Sequence, residues 1–136
     1  MAKVSFVGFQ EKIEIPEGFQ LLEIEETLSS TKSKDALYSL ISDPTLISQW
    51  LAKVQSFDSR PGGKLNFEDG SMATCTSFVL GKEIALVADN FGNYMASVAK
   101  GNDGNAIKLK FAIMTDDVDA KSSEIIKIVD RLRQLL

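Results

Sequence analysis

The sequence predicts an α+β fold: a curved antiparallel sheet wrapped around a long C-terminal helix, with two short helices after the first core strand. Two observations carry this. Between about residues 54 and 114, short alternating runs are separated by turn chemistry: Pro61-Gly62-Gly63, Asp69-Gly70, Gly81-Lys82, Asn90-Phe91-Gly92-Asn93 and Gly101-Asn102-Asp103-Gly104-Asn105. Asp-Gly and Gly/Asn clusters between alternating runs are the signature of an antiparallel meander. From about Asp119 to Leu136 the period becomes helical. Ile125, Ile128, Val129, Leu132 and Leu136 form one stripe with Ile126 and Leu135 at its margins, while Glu124, Lys127, Asp130, Arg131 and Arg133 are left to water. So amphipathic a helix must lie on something apolar, and the sheet is the only sizeable candidate.

Taken in order, residues 1–18 carry a weak alternation (Val4, Phe6, Ile13, Ile15) around Gly8 and end at Pro16-Glu17-Gly18. They read as an N-terminal extension, either an additional edge strand or a hairpin, ahead of a main domain over 19–136. Leu22, Ile24 and Leu28 alternate with Glu23, Glu25 and Thr27 as a half-buried strand, with Glu26 on the apolar parity. Ser33 is a good N-cap for a helix over about 34–42 that turns Ala36, Leu37, Leu40 and Ile41 inward. Asp43-Pro44 opens a second helix at about 44–51, because the carboxylate accepts free amide hydrogens and proline suits the first helical position. Its apolar face is Leu46, Ile47, Trp50 and Leu51. Strands follow at Val54–Phe57, Lys64–Glu68, Met72–Leu80, Glu83–Asp89, Tyr94–Lys100 and Ala106–Met114. The last is clearest, with Ile107, Leu109, Phe111 and Ile113 on one face and Lys108 and Lys110 on the other.

The 136 residues, 44% of them hydrophobic, suit one domain that buries roughly two-thirds of its unfolded surface. A net charge of −4, with lysines dispersed along the chain and reading most simply as solvated, argues against nucleic acid. There is no histidine and one cysteine, Cys75. That excludes Ser-His-Asp and Cys-His nucleophiles, imidazole metal sites and an intrachain thiolate zinc site. No catalytic residue, metal or cofactor is expected. The start lacks the pattern of a signal peptide, and no apolar run approaches the length of a bilayer. A cytoplasmic protein without membrane insertion is expected.

This order of elements is the helix-grip arrangement. The helix at Ser33–Ser42, the Ser42-Asp43-Pro44 junction, Trp50, the Arg60-Pro61-Gly62-Gly63-Lys64 turn and the terminal helix resemble the START-like (SRPBCC) superfamily over about residues 20–136. Within it, they are most similar to the bacterial branch related to the C-terminal domain of the heat-shock-chaperone ATPase activator. The chain departs from that branch in having Leu51 at a usual second tryptophan, and Thr115-Asp116-Asp117-Val118 without the usual Gly-Trp before the last helix. The resemblance implies a cavity between long helix and concave sheet for a small apolar molecule, with a chaperone or a second copy as further partner classes.

On the parity of the meander, Leu65, Phe67, Thr74, Thr76, Phe78, Leu86, Tyr94, Ala96, Leu109 and Phe111 point toward the helix. The candidate cavity lining is Glu26, Trp50, Phe67, Thr74, Thr76, Phe78, Tyr94, Phe111, Ile125 and Val129. These residues either line a cavity or pack together as core. Glu26 with Thr74 and Thr76 is the one polar constellation; it is either a desolvated acid of raised pKa or a wet carboxylate at a bend. Trp50 either stacks on a ligand at the mouth or lids the core. Three functions stand beside one another: an apolar-ligand module, an interaction protein resembling the chaperone activator, and a cyclase- or hydratase-type enzyme pairing a carboxylate with Tyr94. Lack of histidine counts most against the third.

Overall fold

In the computed structural model, residues 3–5, 12–14, 16–88, 91–101 and 104–136 are described, the first two stretches as backbone. β1 (Lys3–Ser5) and β2 (Lys12–Glu14) pair antiparallel as a two-stranded sheet of their own. Phe6 and Ile15, part of the expected N-terminal alternation, lie outside the described residues.

The main sheet contains β3 (Gln20–Ser30), β4 (Val54–Phe57), β5 (Lys64–Phe67), β6 (Met72–Val79), β7 (Glu83–Ala88), β8 (Gly92–Lys100) and β9 (Asn105–Thr115). Its order is β3-β9-β8-β7-β6-β5-β4, with every neighbouring pair antiparallel. The meander from β4 to β9 is thus contiguous, and β3 closes against its last strand. Between β3 and β4 lie α1 (Lys34–Ser42) and α2 (Pro44–Ile47), and α3 (Val118–Arg133) follows β9. This is the helix-grip architecture: α+β, one main antiparallel sheet, with a long C-terminal helix.

Local chemistry explains the boundaries. Ser33 Oγ accepts from the Ala36 amide (3.2 Å), Asp43 Oδ1 from Thr45 (2.8 Å) and Asp117 Oδ1 from Ala120 (3.0 Å), so each helix has a side-chain cap. α2 is shorter than expected and ends at Ile47, although a final turn from Leu51 N to Ile47 O (2.9 Å) carries the chain on to Trp50 and Leu51. The Pro61-Gly62-Gly63 turn is required sterically. A Cβ on Gly63 would collide with the Asp58 carbonyl, and Gly62 sits at φ +83°. The turn is pinned to β6 by Gly62 N donating to Cys75 O (2.7 Å) and Cys75 N to Gly63 O (2.8 Å).

The core lies between the concave sheet face and the helices. Leu37, Leu40 and Ile41 of α1, Ile47, Trp50 and Leu51, and Ile125, Ile128, Val129 and Leu132 of α3 are all buried against it. The α3 stripe is therefore read correctly along most of its length; Leu136 is half-buried and Ile126 exposed.

One sequence expectation fails within β6. Ala73 and Cys75 point into the core, and Thr74 and Thr76 do not. The register with β7 slips between Cys75 and Ser77, so Cys75 opposes Leu86 while Phe78 opposes Ile84. A bulge adds one residue and reverses the face of everything beyond it. Counting back by twos from Phe78 therefore puts the threonines on the wrong side.

Candidate functional site

The concave face is occupied by aromatic rings. Trp50 stands 6.2 Å from Tyr94, centroid to centroid; Tyr94 packs edge-on to Phe111 (5.2 Å, 86°) and beside Phe91 (5.7 Å). Phe91 also meets Phe67 (5.9 Å) and Phe111 (6.4 Å) edge-on. Of the candidate lining residues, Trp50, Phe67, Tyr94, Phe111, Ile125 and Val129 thus come together in one buried cluster. They meet as packed side chains touching one another.

Trp50 is committed to that packing. Its indole N–H donates to the Leu40 carbonyl (2.8 Å), and Arg131 Nε donates to the Trp50 carbonyl (2.9 Å), tying α3 to the chain after α2. Burial pushes the Tyr94 phenol well above its ordinary pKa, because a phenolate there would lack solvation.

Of the other candidates, only Phe78 packs against this cluster, from its edge. Glu26 does lie on the inner parity, since it opposes buried Leu109 on β9, but it is exposed. β3 is the edge of the sheet, so water reaches Glu26 from the open side. Thr74 and Thr76 are four strands away on the opposite face, where Thr74 Oγ1 accepts from Lys64 Nζ (2.7 Å). Glu26, Thr74, Thr76 and Tyr94 do not converge. Phe78 is half-buried in a second aromatic group, edge-on to Tyr38 of α1 and to Phe57 (both 6.4 Å). Cys75 is fully buried, its thiol pushed up by desolvation, and no base touches it.

A concavity lies beside the aromatic cluster. A groove of about 340 Å³ runs between Ser123, Lys127 and Ile128 of α3 on one wall and Leu51, Ala52 and Phe91 on the other. Asp69, Ala120, Glu124 and Arg131 complete its lining. Its apolar side is the outer edge of the aromatic cluster, through Phe91. Arg131 is held by the backbone of Trp50 and Leu51, whereas Asp69 accepts from both the amide and hydroxyl of Ser71, bonds that lower its pKa. Sequence reasoning missed Phe91 by assigning it to a turn. The available signal was an aromatic between asparagine and glycine: Gly92, at φ +68°, lies too close to Ala112 and Ile113 for any Cβ, and that approach directs Phe91 inward.

Among the described residues no group of three or more His, Cys, Asp or Glu side chains is placed to hold a metal, and no helix is long and apolar enough to cross a membrane.

No protein-family model matches the sequence, and no curated protein matches it. Solved structures do match in shape. An AHSA1-like protein from Aeromonas hydrophila superposes with a TM-score of 0.62 at 15% identity, covering 83% of this chain and 90% of the other. The Aha1 dimer of Colwellia psychrerythraea gives 0.66 at 10% identity (84% and 92%), and CalU16 from Micromonospora echinospora 0.59 at 15% (88% and 78%). Similarity of backbone at such low identity concerns architecture alone: this chain has the helix-grip fold of the AHSA1-like proteins.

Proposed function

We propose that this chain is a non-catalytic binding module for a small, largely apolar molecule, held in the groove between α3 and Leu51–Phe91. The observation that carries this reading is the groove itself. At about 340 Å³ it lies at the lower end of ligand-site volumes, and its lining is divided evenly between apolar residues and polar or charged ones. Burial of the ligand's apolar surface supplies the affinity, at about 25 cal/mol per Å². Lys127 and Glu124 orient any polar end. A cytoplasmic setting goes with this reading.

The test is titration of the protein with an apolar fluorescent dye and a panel of fatty acids and aromatic acids. Saturable binding that raises the melting temperature by mass action is expected. Ser123→Trp, at an exposed groove position on α3, fills the space and abolishes both effects without unfolding the protein. Lack of saturable binding across the panel overturns the reading.

A second reading, an interaction protein whose surface matters more than its interior, is favoured by one observation: the rings of Trp50, Phe67, Phe91, Tyr94 and Phe111 pack against one another in the buried core. The enzymatic reading has least support, because its carboxylate and hydroxyls do not meet.

A further inference from the structure

Four lysines dispersed in sequence, Lys32, Lys34, Lys82 and Lys100, are gathered at one end of the sheet. The strand registers fix which connections share one end of the sheet. β3 ends at Ser30 and β8 at Lys100, both opposite Asn105, whose side-chain amide donates to the Lys32 carbonyl (3.0 Å). β6 turns into β7 through Val79–Lys82, with Glu83 opposite Ser97 and Val98 N donating to Lys82 O (2.8 Å). The β4–β5 connection joins the same end through its bonds to Cys75. Lys32, Lys34, Arg60, Lys82 and Lys100 stand exposed on these four connections.

Among the described residues the acids on these connections are Asp35, Asp58 and Glu83, and the sequence between Lys100 and Asn105 adds Asp103; Asp58 is paired with Arg60 (2.8 Å) and Glu83 accepts from Ser77 Oγ (3.4 Å). α3 returns here too, its Leu136 carbonyl accepting from Ser30 Oγ, and Arg133 is paired with Asp130. At the opposite end, among the described residues, Glu17, Glu68, Asp69, Asp116, Asp117 and Asp119 stand with Lys53 and Lys121, and Lys127 and Arg131 reach the groove that Asp69 lines. A protein of net charge −4 is thus polarised along its strands. Leu80 projects from the basic end, 83% exposed, with Val79 44% exposed beside it.

We propose that this end docks reversibly on an anionic lipid surface. Leu80 enters the headgroup layer, and Lys32, Lys34, Lys82 and Lys100 lie over the phosphates. No spanning segment is involved, only the tip of one hairpin. The composition separates a bilayer from a protein partner. Protein interfaces favour Trp, Tyr and Arg around a packed centre and are depleted in Lys. Here the cations are mostly lysines, spread along an arc of separate connections around one aliphatic tip. That pattern suits a fluid surface of phosphates, where flexible amines need no fixed geometry. The groove lies toward the acidic end, between Asp69, Phe91 and α3, so docking leaves it facing water.

The experiment is co-sedimentation of the intact chain with vesicles of phosphatidylcholine alone and of phosphatidylcholine with phosphatidylserine, at low and high salt. Binding to the anionic vesicles at low salt only is expected. Charge reversal at Lys82 and Lys100 together should weaken it by about tenfold or more. Leu80→Ser should weaken it several-fold at unchanged melting temperature, since the side chain is already in water. Equal binding to the neutral vesicles, no binding to the anionic ones, or indifference to these substitutions overturns the proposal. So does a soluble acidic peptide that shifts the Leu80 and Lys82 resonances where vesicles do not, which would reassign this end to an acidic protein.

Discussion

Tyr38 carries a buried hydroxyl without a hydrogen-bond partner among the described residues and Tyr94 a buried phenol, and the consequences differ. Tyr38 Oη, carried by α1, is shut away from water. A buried hydroxyl without a partner costs about 1–3 kcal/mol in lost hydration. Tyr38→Phe is therefore expected to match the parent or exceed it by about 1 kcal/mol in denaturant unfolding. For Tyr94 the effect depends on pH. Its folded pKa is raised, so the folded state keeps a proton that the unfolded chain releases above about 10. Stability should be unaffected by this group below that pH and fall as pH rises through and beyond it. Tyr94→Phe should remove that component of alkaline unfolding; an unchanged alkaline profile would contradict the burial of the phenol. Glu26 offers a lesson in legibility at the same scale. Its inner parity could be read from Leu22, Ile24 and Leu28, but exposure depends on whether another strand lies beyond β3, which no local pattern states.

At the scale of elements, α3 seals the core. Val129 is 3% exposed, and Val129→Asp places an unpaired carboxylate among Ile125, Leu132 and the sheet. Loss of a cooperative thermal transition is expected; retention near the parent's midpoint would contradict this packing. Ala96 is fully buried opposite Ile84 and Leu109, so Ala96→Trp overpacks the core and should destabilise it by about 1–3 kcal/mol or more. Gly63→Ala should likewise destabilise, by forcing the Asp58–Gly63 turn off its bonds to Cys75, with a lowered denaturant midpoint as the readout. Helix caps, turns and strand runs were legible because Ser33, Asp43, Pro44 and the Gly pairs act on their immediate neighbours. The β6 bulge was not. It is defined by which residue of β7 opposes Cys75, a relation across strands, and it moved Thr74 and Thr76 to the other face.

For the whole molecule, fold class followed from the sequence because period and turn chemistry agree along the chain. The candidate site was legible only in its apolar members. Trp50, Phe67, Tyr94, Phe111, Ile125 and Val129 do assemble, since apolar residues on one parity share one core. The polar members do not, because hydrogen-bonded convergence depends on strand order. Charge shows the same limit: summed over the chain it is −4, while its separation between the two ends emerges only from the registers. The groove should accordingly respond to Ser123→Trp and the basic end to charge reversal at Lys82 and Lys100, each without affecting the other, since they lie at opposite ends of the strands. Coupling between the two responses would count against that separation.

The pairing of β3 with β9 sets the tempo of folding. Gln20 opposes Thr115 and Ser30 opposes Asn105, so the first core strand finds its partner only after most of the chain has been made. Every other neighbour in the main sheet is joined by a hairpin and can pair early. During synthesis the β4–β9 meander can form while β3 waits, and the loop-closure entropy of that last pairing falls on a single late event. Glu23, Glu25 and Glu26 keep the waiting strand charged, which discourages it from pairing with the same segment of another nascent chain.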